Sequence, residues 1–383
     1  MAFISLKKKI LIFIDWYKPG YKAGGPIQSI SNIVNQLHDK VDFYIVTRNT
    51  DYLESNPYTS ILSNKWNLID NANVYYISKS NLKSAVIKTL IKEINPDTIY
   101  CNSLFSFYFS LFPIYVAKKL NINHILAVRG MLSRGSLSVK NRKKDFFLGV
   151  MKILNFYKKT LFHATTLAEK NDISNKIGTN KVIVANNLSE KKEYQFIAKT
   201  KKENDLKLVS IGRIAPEKNT LFAIEVLKKV TSQVTFDIYG PIYGDDYWNK
   251  CMLAINQMPE NIVINYKGVL DHHLIEETLL NYHSIFLPST GENYGHIIIE
   301  AMINSCIPII SDKTPWKNLE THSVGFDIPL DDKNAFAEKI DYLTSLSNGE
   351  LNKMSLNSYQ YAHKVIFNKE ALKAYDKLFQ LSN

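Results

Sequence analysis

The chain has 383 residues, 45% apolar and 22% charged, with 15 glycines, 12 prolines and 3 cysteines; this is an ordinary globular composition, long enough for two or three domains. Collagen-like, disordered and disulfide-framework classes are excluded, and Cys101, Cys251 and Cys306 form no CxxC pair, which fits a reduced, cytoplasmic setting. The net charge of +11 is uneven: residues 1–202 carry 31 Lys/Arg against 13 Asp/Glu, whereas residues 203–383 carry 16 against 23.

A step of that size near residue 203 predicts two domains, 1–203 and 204–365, with different surroundings. The apolar run behind Lys7 to Lys9 stops at Asp15 without a small-residue cleavage site, so no export signal is read there. The longest apolar stretch, 104–117, is about 14 residues, short of the roughly 20 a spanning helix needs.

In chain order, short β-branched runs predict strands at 10–14, 42–47, 73–77, 98–101 and 125–128, with helical periodicity at 27–37, 82–94 and 105–120. The pattern restarts with strands at 207–211, 235–239, 262–266, 284–287 and 308–311, and with helices at 220–230, 274–282, 296–305 and 335–346. Apolar strands alternating with helices predict parallel sheets covered on both faces, hence two tandem Rossmann-like, doubly wound α/β domains. The polar, Lys-rich segment 187–205 suits a linker between them. Ligands of such sheets sit beyond the carboxyl ends of strands, which places the expected site in a central cleft between facing domains.

Three local patterns carry chemistry. Gly24-Gly25-Pro26 follows the first strand and opens a helix, where a glycine pair lets backbone approach an anion; a plain turn explains it equally well. Gly212-Arg213, with Lys218 five residues after the arginine, puts two cations at a strand's carboxyl end beside a helix start. That is a receptor for a diphosphate, or else a pair of solvated charges. In Ser289-Thr290-Gly291-Glu292-Asn293-Tyr294-Gly295-His296, Glu292 lies in a glycine-flanked loop and Glu300 follows eight residues on, about two helical turns away. Carboxylates accept sugar hydroxyls, and the main-chain N–H groups from Asn293 to His296 suit an anion. The competing reading of Glu300 is a solvated mid-helix residue.

These residues resemble glycosyltransferase family 4. Glu292 and Glu300 match its E-x7-E motif, "GRIAPEKN" at 212–219 its diphosphate-binding segment, and Gly24-Gly25 its N-terminal glycine loop. "VRGMLSRGSL" (128–137) and "SDKTPWKNL" (311–319) further resemble a subgroup typical of bacterial surface-polysaccharide loci, serving capsule, O-antigen (lipopolysaccharide) or exopolysaccharide assembly. The resemblance implies the GT-B fold, with a last helix, 366–383, crossing back to the first domain. It implies a retaining, metal-independent transfer from a UDP- or GDP-sugar to a hydroxyl of a lipid-linked or polysaccharide acceptor, with no cofactor.

By the same resemblance Arg213 and Lys218 bind the diphosphate, Glu300 the ribose and Glu292 the transferred sugar. Lys267, Gly268 and Val269 lie near the base. Where the family often carries a histidine after the fifth strand, this chain has Arg129-Gly130, so Arg129 stands where an electrostatic or acceptor-contacting role falls. Trp316 replaces glycines often found there, and is placed either to stack on a sugar or to pack.

The stretch 118–159 holds 11 Lys/Arg and the single acid Asp145, interleaved with Phe146, Phe147, Phe156 and Tyr157. It reads either as a solvated face or as a docking surface for the anionic leaflet of the cytoplasmic membrane. A nucleic-acid binder is the rival suggested by basicity, but no zinc, helix-turn-helix or RNP signature accompanies it, and the second half is acidic. A catalytically inactive nucleotide-sugar binder is the other. Asp245-Asp246 and Asp331-Asp332 read as loop charges, and His272, His273 and His283 form no metal set with the cysteines.

Overall fold

The computed structural model describes residues 7–132 and 141–381. Its strands are β1 Lys8–Phe13, β2 Val41–Arg48, β3 Trp66–Ile69, β4 Ala72–Ile77, β5 Thr98–Cys101, β6 Asn123–Ala127, β7 Leu161–Ala164, β8 Val182–Val184, β9 Asp205–Ile211, β10 Gln233–Tyr239, β11 Ile262–Tyr266, β12 Ser284–Leu287, β13 Ile307–Ser311 and β14 Phe326–Ile328. The first eight form one sheet, ordered β3-β4-β2-β1-β5-β6-β7-β8, and the last six a second, ordered β11-β10-β9-β12-β13-β14. Among the strand pairs of the described residues, only β3–β4 is antiparallel.

Two compact units contain these sheets: Met1–Lys191 with Asn368–Asn383, and Lys192–Phe367. Each sheet is covered on both faces, because alternate residues of its central strand enter different cores. Ile10 and Ile12 pack in one core of the first unit and Leu11 and Phe13 in the other, all wholly buried. In the second unit Leu206 and Leu208 point one way and Val209 and Ile211 the other. Burying each such side chain contributes about 1.5–3 kcal/mol, and a slip of one residue would exchange the two faces.

Strand order reverses beside β1, whose neighbours are β2 and β5, and beside β9, whose neighbours are β10 and β12. The loops leaving those strands are where a doubly wound sheet opens for ligands.

Several sequence expectations need correction. Residues 192–204 belong to the second unit, and the division falls between Lys191 and Lys192. They are not a free tether, since the main chain of Lys199 and Lys201 is tied to Asn352 and Asn348 of the helix Asn348–Ile366. The Lys199 ammonium is buried, donating to the carbonyls of Leu279 and Tyr282 and lying 2.9 Å from the Cys306 sulfur. Asp245 and Asp246 begin the helix Asp245–Ile255, complementing its dipole, and Asp332 caps Lys333–Ser345 by accepting from Ala335 N at 2.9 Å. Tyr375, Leu378 and Phe379 of the helix Lys369–Phe379 are buried in a core of the first unit.

Candidate active site

The second unit gathers the motif residues at the carboxyl ends of β9 and β12. Gly240, just past β10, makes this possible: its φ is +142°, and a β-carbon there would lie 1.9 Å from the Gly212 carbonyl oxygen. Only glycine lets the two loops approach so closely, and the Gly212 N–H then donates to Tyr239 O at 2.9 Å.

The loop after β9 is stitched to the loop after β12. Thr290 N donates to Glu217 O at 2.9 Å, and Asn219 Nδ2 donates to Pro288 O at 3.1 Å. Those ties bring Lys218 Nζ within 2.5 Å of Glu292 Oε1, and Ser289 Oγ donates to the same oxygen at 2.8 Å. The pair is largely enclosed, with side-chain exposures of 18% and 10%. Arg213 is more open: its guanidinium lies 3.3 Å from Glu217 Oε1 and 5.2 Å above the Tyr243 ring. A surface pair of this kind is worth about 0–1 kcal/mol, so the guanidinium is easily given up to a stronger anion.

Gly295 sets the next element. It sits at φ +76°, where a β-carbon would meet Ile298 Cδ1 at 2.8 Å, and it caps the helix His296–Ile303. Glu300 lies inside this helix with its side chain 24% exposed, and His272 Nε2 stands 3.8 Å from Glu300 Oε1. Nothing along the chain joins His272 to this site, because the histidine opens a 3-10 turn, His272–Leu274, that follows β11. The rings of Tyr294 and His296 pack at a tilt, with centroids 4.8 Å apart and planes at 59°, next to Asn293. Trp316 is buried rather than presented to a ligand: its indole N–H donates to Tyr294 O at 2.6 Å and its ring packs against Tyr294. Of its two readings, packing is the one observed.

Lys267, Gly268 and Val269 follow β11, and Gly240 N donates to Gly268 O at 2.8 Å. The Lys267 ammonium lies 3.6 Å from the buried Asp237 carboxylate, which also accepts from Tyr282 OH at 2.6 Å and from Asn265 Nδ2 at 2.8 Å. Burial, followed by that hydrogen bond to Asp237, pushes the Tyr282 phenol well above its ordinary range, so it stays a donor. This network fixes the ends of β10 and β11 and was not visible in the sequence.

In the first unit, Gly24 (φ +69°) precedes the helix Gly25–Leu37, and the space where its β-carbon would lie is open. Arg129, also left-handed at φ +51°, turns its guanidinium onto its own unit. It donates to Asn102 Oδ1 and Asn187 Oδ1, both at 2.6 Å, and to Tyr100 OH at 2.9 Å. Tyr100 continues to His163 Nδ1 at 2.7 Å, and His163 Nε2 faces Ala185 O at 2.8 Å. A carbonyl accepts only, so Nε2 carries the proton and Nδ1 accepts from Tyr100. Burial, reinforced by the nearby Arg129 charge, drops the His163 pKa to about 3, so the ring is neutral. Glu169 secures the same loop, accepting from Gly130 N at 2.5 Å and from Thr165 N and Oγ1 at 2.6 and 2.7 Å. Arg129 thus organises strand ends, with only part of its surface open. Residues 133–137 of the phrase containing it lie outside the described residues.

The basic stretch includes the helix Asn141–Ile153, whose outward positions are apolar as well as charged. Phe146 is 76% exposed and Ile153 80%, seven residues apart and so on one stripe, beside the exposed Lys143 and Lys152. Residues 133–140 of the stretch lie outside the described residues. Among the described residues no helix is long and apolar enough to cross a membrane, and no cluster of three His, Cys, Asp or Glu is arranged to hold a metal ion.

Residues 175–362, which contain Arg213, Lys218, Glu292 and Glu300, match the model of the family described as glycosyl transferases group 1. No curated protein sequence matches the chain. Among solved structures, HepE from Anabaena in complex with UDP-glucose is 17% identical, covering 97% of this chain and 100% of its own, with a TM-score of 0.69. Sucrose-phosphate synthase from Thermosynechococcus elongatus is 14% identical over 98% and 100% of the two chains, at 0.68. A glycosyltransferase from Rickettsia africae is 15% identical over 98% of each, at 0.66. The fold is GT-B, two Rossmann-like parallel-sheet domains.

Proposed function

We propose that the protein is a retaining glycosyltransferase of family 4 that moves a sugar from a UDP- or GDP-sugar to a hydroxyl of a lipid-linked or polysaccharide acceptor. Its place is the assembly of capsule, O-antigen or exopolysaccharide. The observation that carries this reading is the Lys218–Glu292 pair, enclosed at the switch point of the second sheet and followed by Glu300 in the next helix.

The hard step is breaking the bond between the anomeric carbon and the diphosphate oxygen. Charge develops on that oxygen, and Lys218, the N-terminus of the helix His296–Ile303 and Arg213, once it leaves Glu217, meet it without a metal. An ammonium has three N–H donors, so Lys218 can keep one on Glu292 while directing others at phosphate. Glu292 orients the sugar and balances positive charge at the anomeric carbon; Glu300 takes the ribose hydroxyls. The acceptor oxygen bonds on the face the diphosphate leaves, and its proton passes to the departing phosphate oxygen, retaining configuration. The backbone of Lys267 to Val269 lines the base, and Gly24 and Gly25 offer main-chain N–H groups on the acceptor side.

The exposed Phe146 and Ile153 among lysines support peripheral docking at the cytoplasmic face of a membrane containing anionic lipid, where a lipid-linked acceptor is met. The test is transfer of label from a panel of UDP- and GDP-sugars to membrane glycolipid extracts, with the anomeric linkage of the product read by NMR. A labelled, configuration-retained product supports the reading; an inverted linkage refutes the retaining step, and no turnover with any donor refutes the enzyme.

A further inference from the structure

The edge of the first sheet carries a pocket that the transfer chemistry does not use. β3 is added antiparallel beyond β4, whereas the helix Ser84–Ile94 packs toward β1 and the helix Phe112–Leu120, so the last strands are only partly roofed. The gap is a cavity of about 490 Å³. Its floor is Trp66 and Tyr75, directly opposite each other across the β3–β4 pair, with ring centroids 5.3 Å apart and planes at 67°. Tyr44 on β2 braces Trp66 edge-on at 5.6 Å, which fixes the indole. The helix Ser84–Ile94 contributes Ala85, Val86 and Leu90 together with Thr89 and Glu93, one helical turn apart, and Asn64 and Lys65 complete the lining. Lys65, Thr89 and Glu93 are exposed, so their polar groups are within reach of solvent.

This combination selects a ligand class. A volume in the range of small-molecule sites, with aromatic and aliphatic surface inside and hydroxyl, carboxylate and ammonium groups among the exposed lining residues, suits a molecule with apolar faces and a polar perimeter. A pyranose ring is such a molecule: its C–H face lies on an aromatic ring while its hydroxyls donate to Glu93 and accept from Lys65 and Thr89. A nucleotide phosphate would meet Glu93 against one lysine, and a wholly apolar ligand would leave the charged rim without partners.

We propose that this pocket binds a sugar residue of a glycan chain, at a place separate from the donor loops of the second unit. The occupant's identity rests on the glycosyl-transfer reading: a growing glycan held at a second point stays bound between transfers, by effective concentration rather than by new chemistry.

The test uses the full chain with maltotriose, chitotriose and xylotriose as probes, read by saturation-transfer NMR, beside thermal protection by UDP- and GDP-sugars. Trp66→Ala removes the platform, and Thr89→Trp fills the cavity from an exposed helix position should the first variant fold poorly. The expected result is transfer to at least one trisaccharide, weakened at least tenfold in both variants, with donor protection unchanged. Binding of none of the three by the native chain, or binding that survives both variants, overturns the pocket. Trisaccharide binding without any donor protection keeps the pocket and removes the glycosyl-transfer reading instead.

Discussion

Lys218 Nζ lies 2.5 Å from Glu292 Oε1, although 74 residues separate them in the chain. Two short loops meet there only because Thr290 and Asn219 bind across to Glu217 and Pro288. Glu292→Gln keeps the shape and one acceptor oxygen but removes the charge. The variant should stay within about 1 kcal/mol of native stability, since a neutral acceptor still satisfies Lys218. Turnover should fall on the order of 10²–10³-fold while nucleotide binding persists. Steady-state transfer and calorimetric titration with UDP and GDP, run side by side, check both halves.

Lys218 and Arg213 should not be equivalent. Lys218 is enclosed beside Glu292, whereas Arg213 is 39% exposed and rests on Tyr243. Lys218→Met leaves Glu292 without its counter-charge in an enclosed pocket, with the Ser289 hydroxyl still donating, so it should cost both nucleotide affinity and stability. Arg213→Ala should weaken nucleotide binding while leaving the unfolding midpoint within experimental error. Equal losses of stability in both variants would contradict this division.

Gly240 should tolerate no side chain. The 1.9 Å approach to the Gly212 carbonyl and the φ of +142° together predict a loss of at least about 2–4 kcal/mol for Gly240→Ala, from overpacking and backbone strain. Urea unfolding measures it. Because the displaced carbonyl belongs to the loop carrying Arg213 and Lys218, protection by nucleotides should be lost as well.

His163 gives a pH dependence with a definite sign. Its folded pKa, about 3, lies below the ordinary 6.5, so between these values the unfolded chain binds a proton that the folded chain does not. Its contribution is therefore complete above about pH 6.5 and is lost as the pH falls toward 3, by up to about 1.4 kcal/mol per pH unit. Burial lowers His124 and His283 in the same direction, so the native slope is steeper still. His163→Gln can keep both hydrogen bonds without titrating. Unfolding free energies measured from pH 7 to pH 4 should show a shallower slope for it.

Docking to a bilayer should depend on side chains as well as on charge. Phe146→Ser with Ile153→Ser removes two exposed apolar groups, each worth about 1.5–3 kcal/mol when buried in lipid. Flotation with vesicles containing anionic phosphatidylglycerol should drop at least tenfold, with net charge unchanged.

The central strands and the motif loops were legible because both signals are local: fully buried parallel strands read as apolar runs, and the glycines and charges sit directly after them. The helix Asn348–Ile366 was not. Two of its buried positions are Ser355 and Ser358, which donate to the carbonyls of Ser305 and Cys306, and polar residues there break the apolar period. β8 and β14 have three residues each, too few for any periodicity. At the candidate site, Glu292, Glu300, Arg213 and Lys218 stood out in the sequence by their spacing after two strands. The His272–Glu300 approach and the Asp237–Tyr282 bond join residues on different elements, and no pattern along one chain contains such a relation. Trp316 shows the limit from the other side, since its residue type allowed stacking and only its burial decided for packing.

Isothermal titration of the full chain with UDP- and GDP-sugars, repeated with Lys218→Met and Glu300→Ala, tests the central claim most directly. The account predicts saturable binding of one nucleotide sugar per chain, weakened at least tenfold in both variants. Absence of binding by any nucleotide sugar, or binding that neither substitution changes, would contradict it.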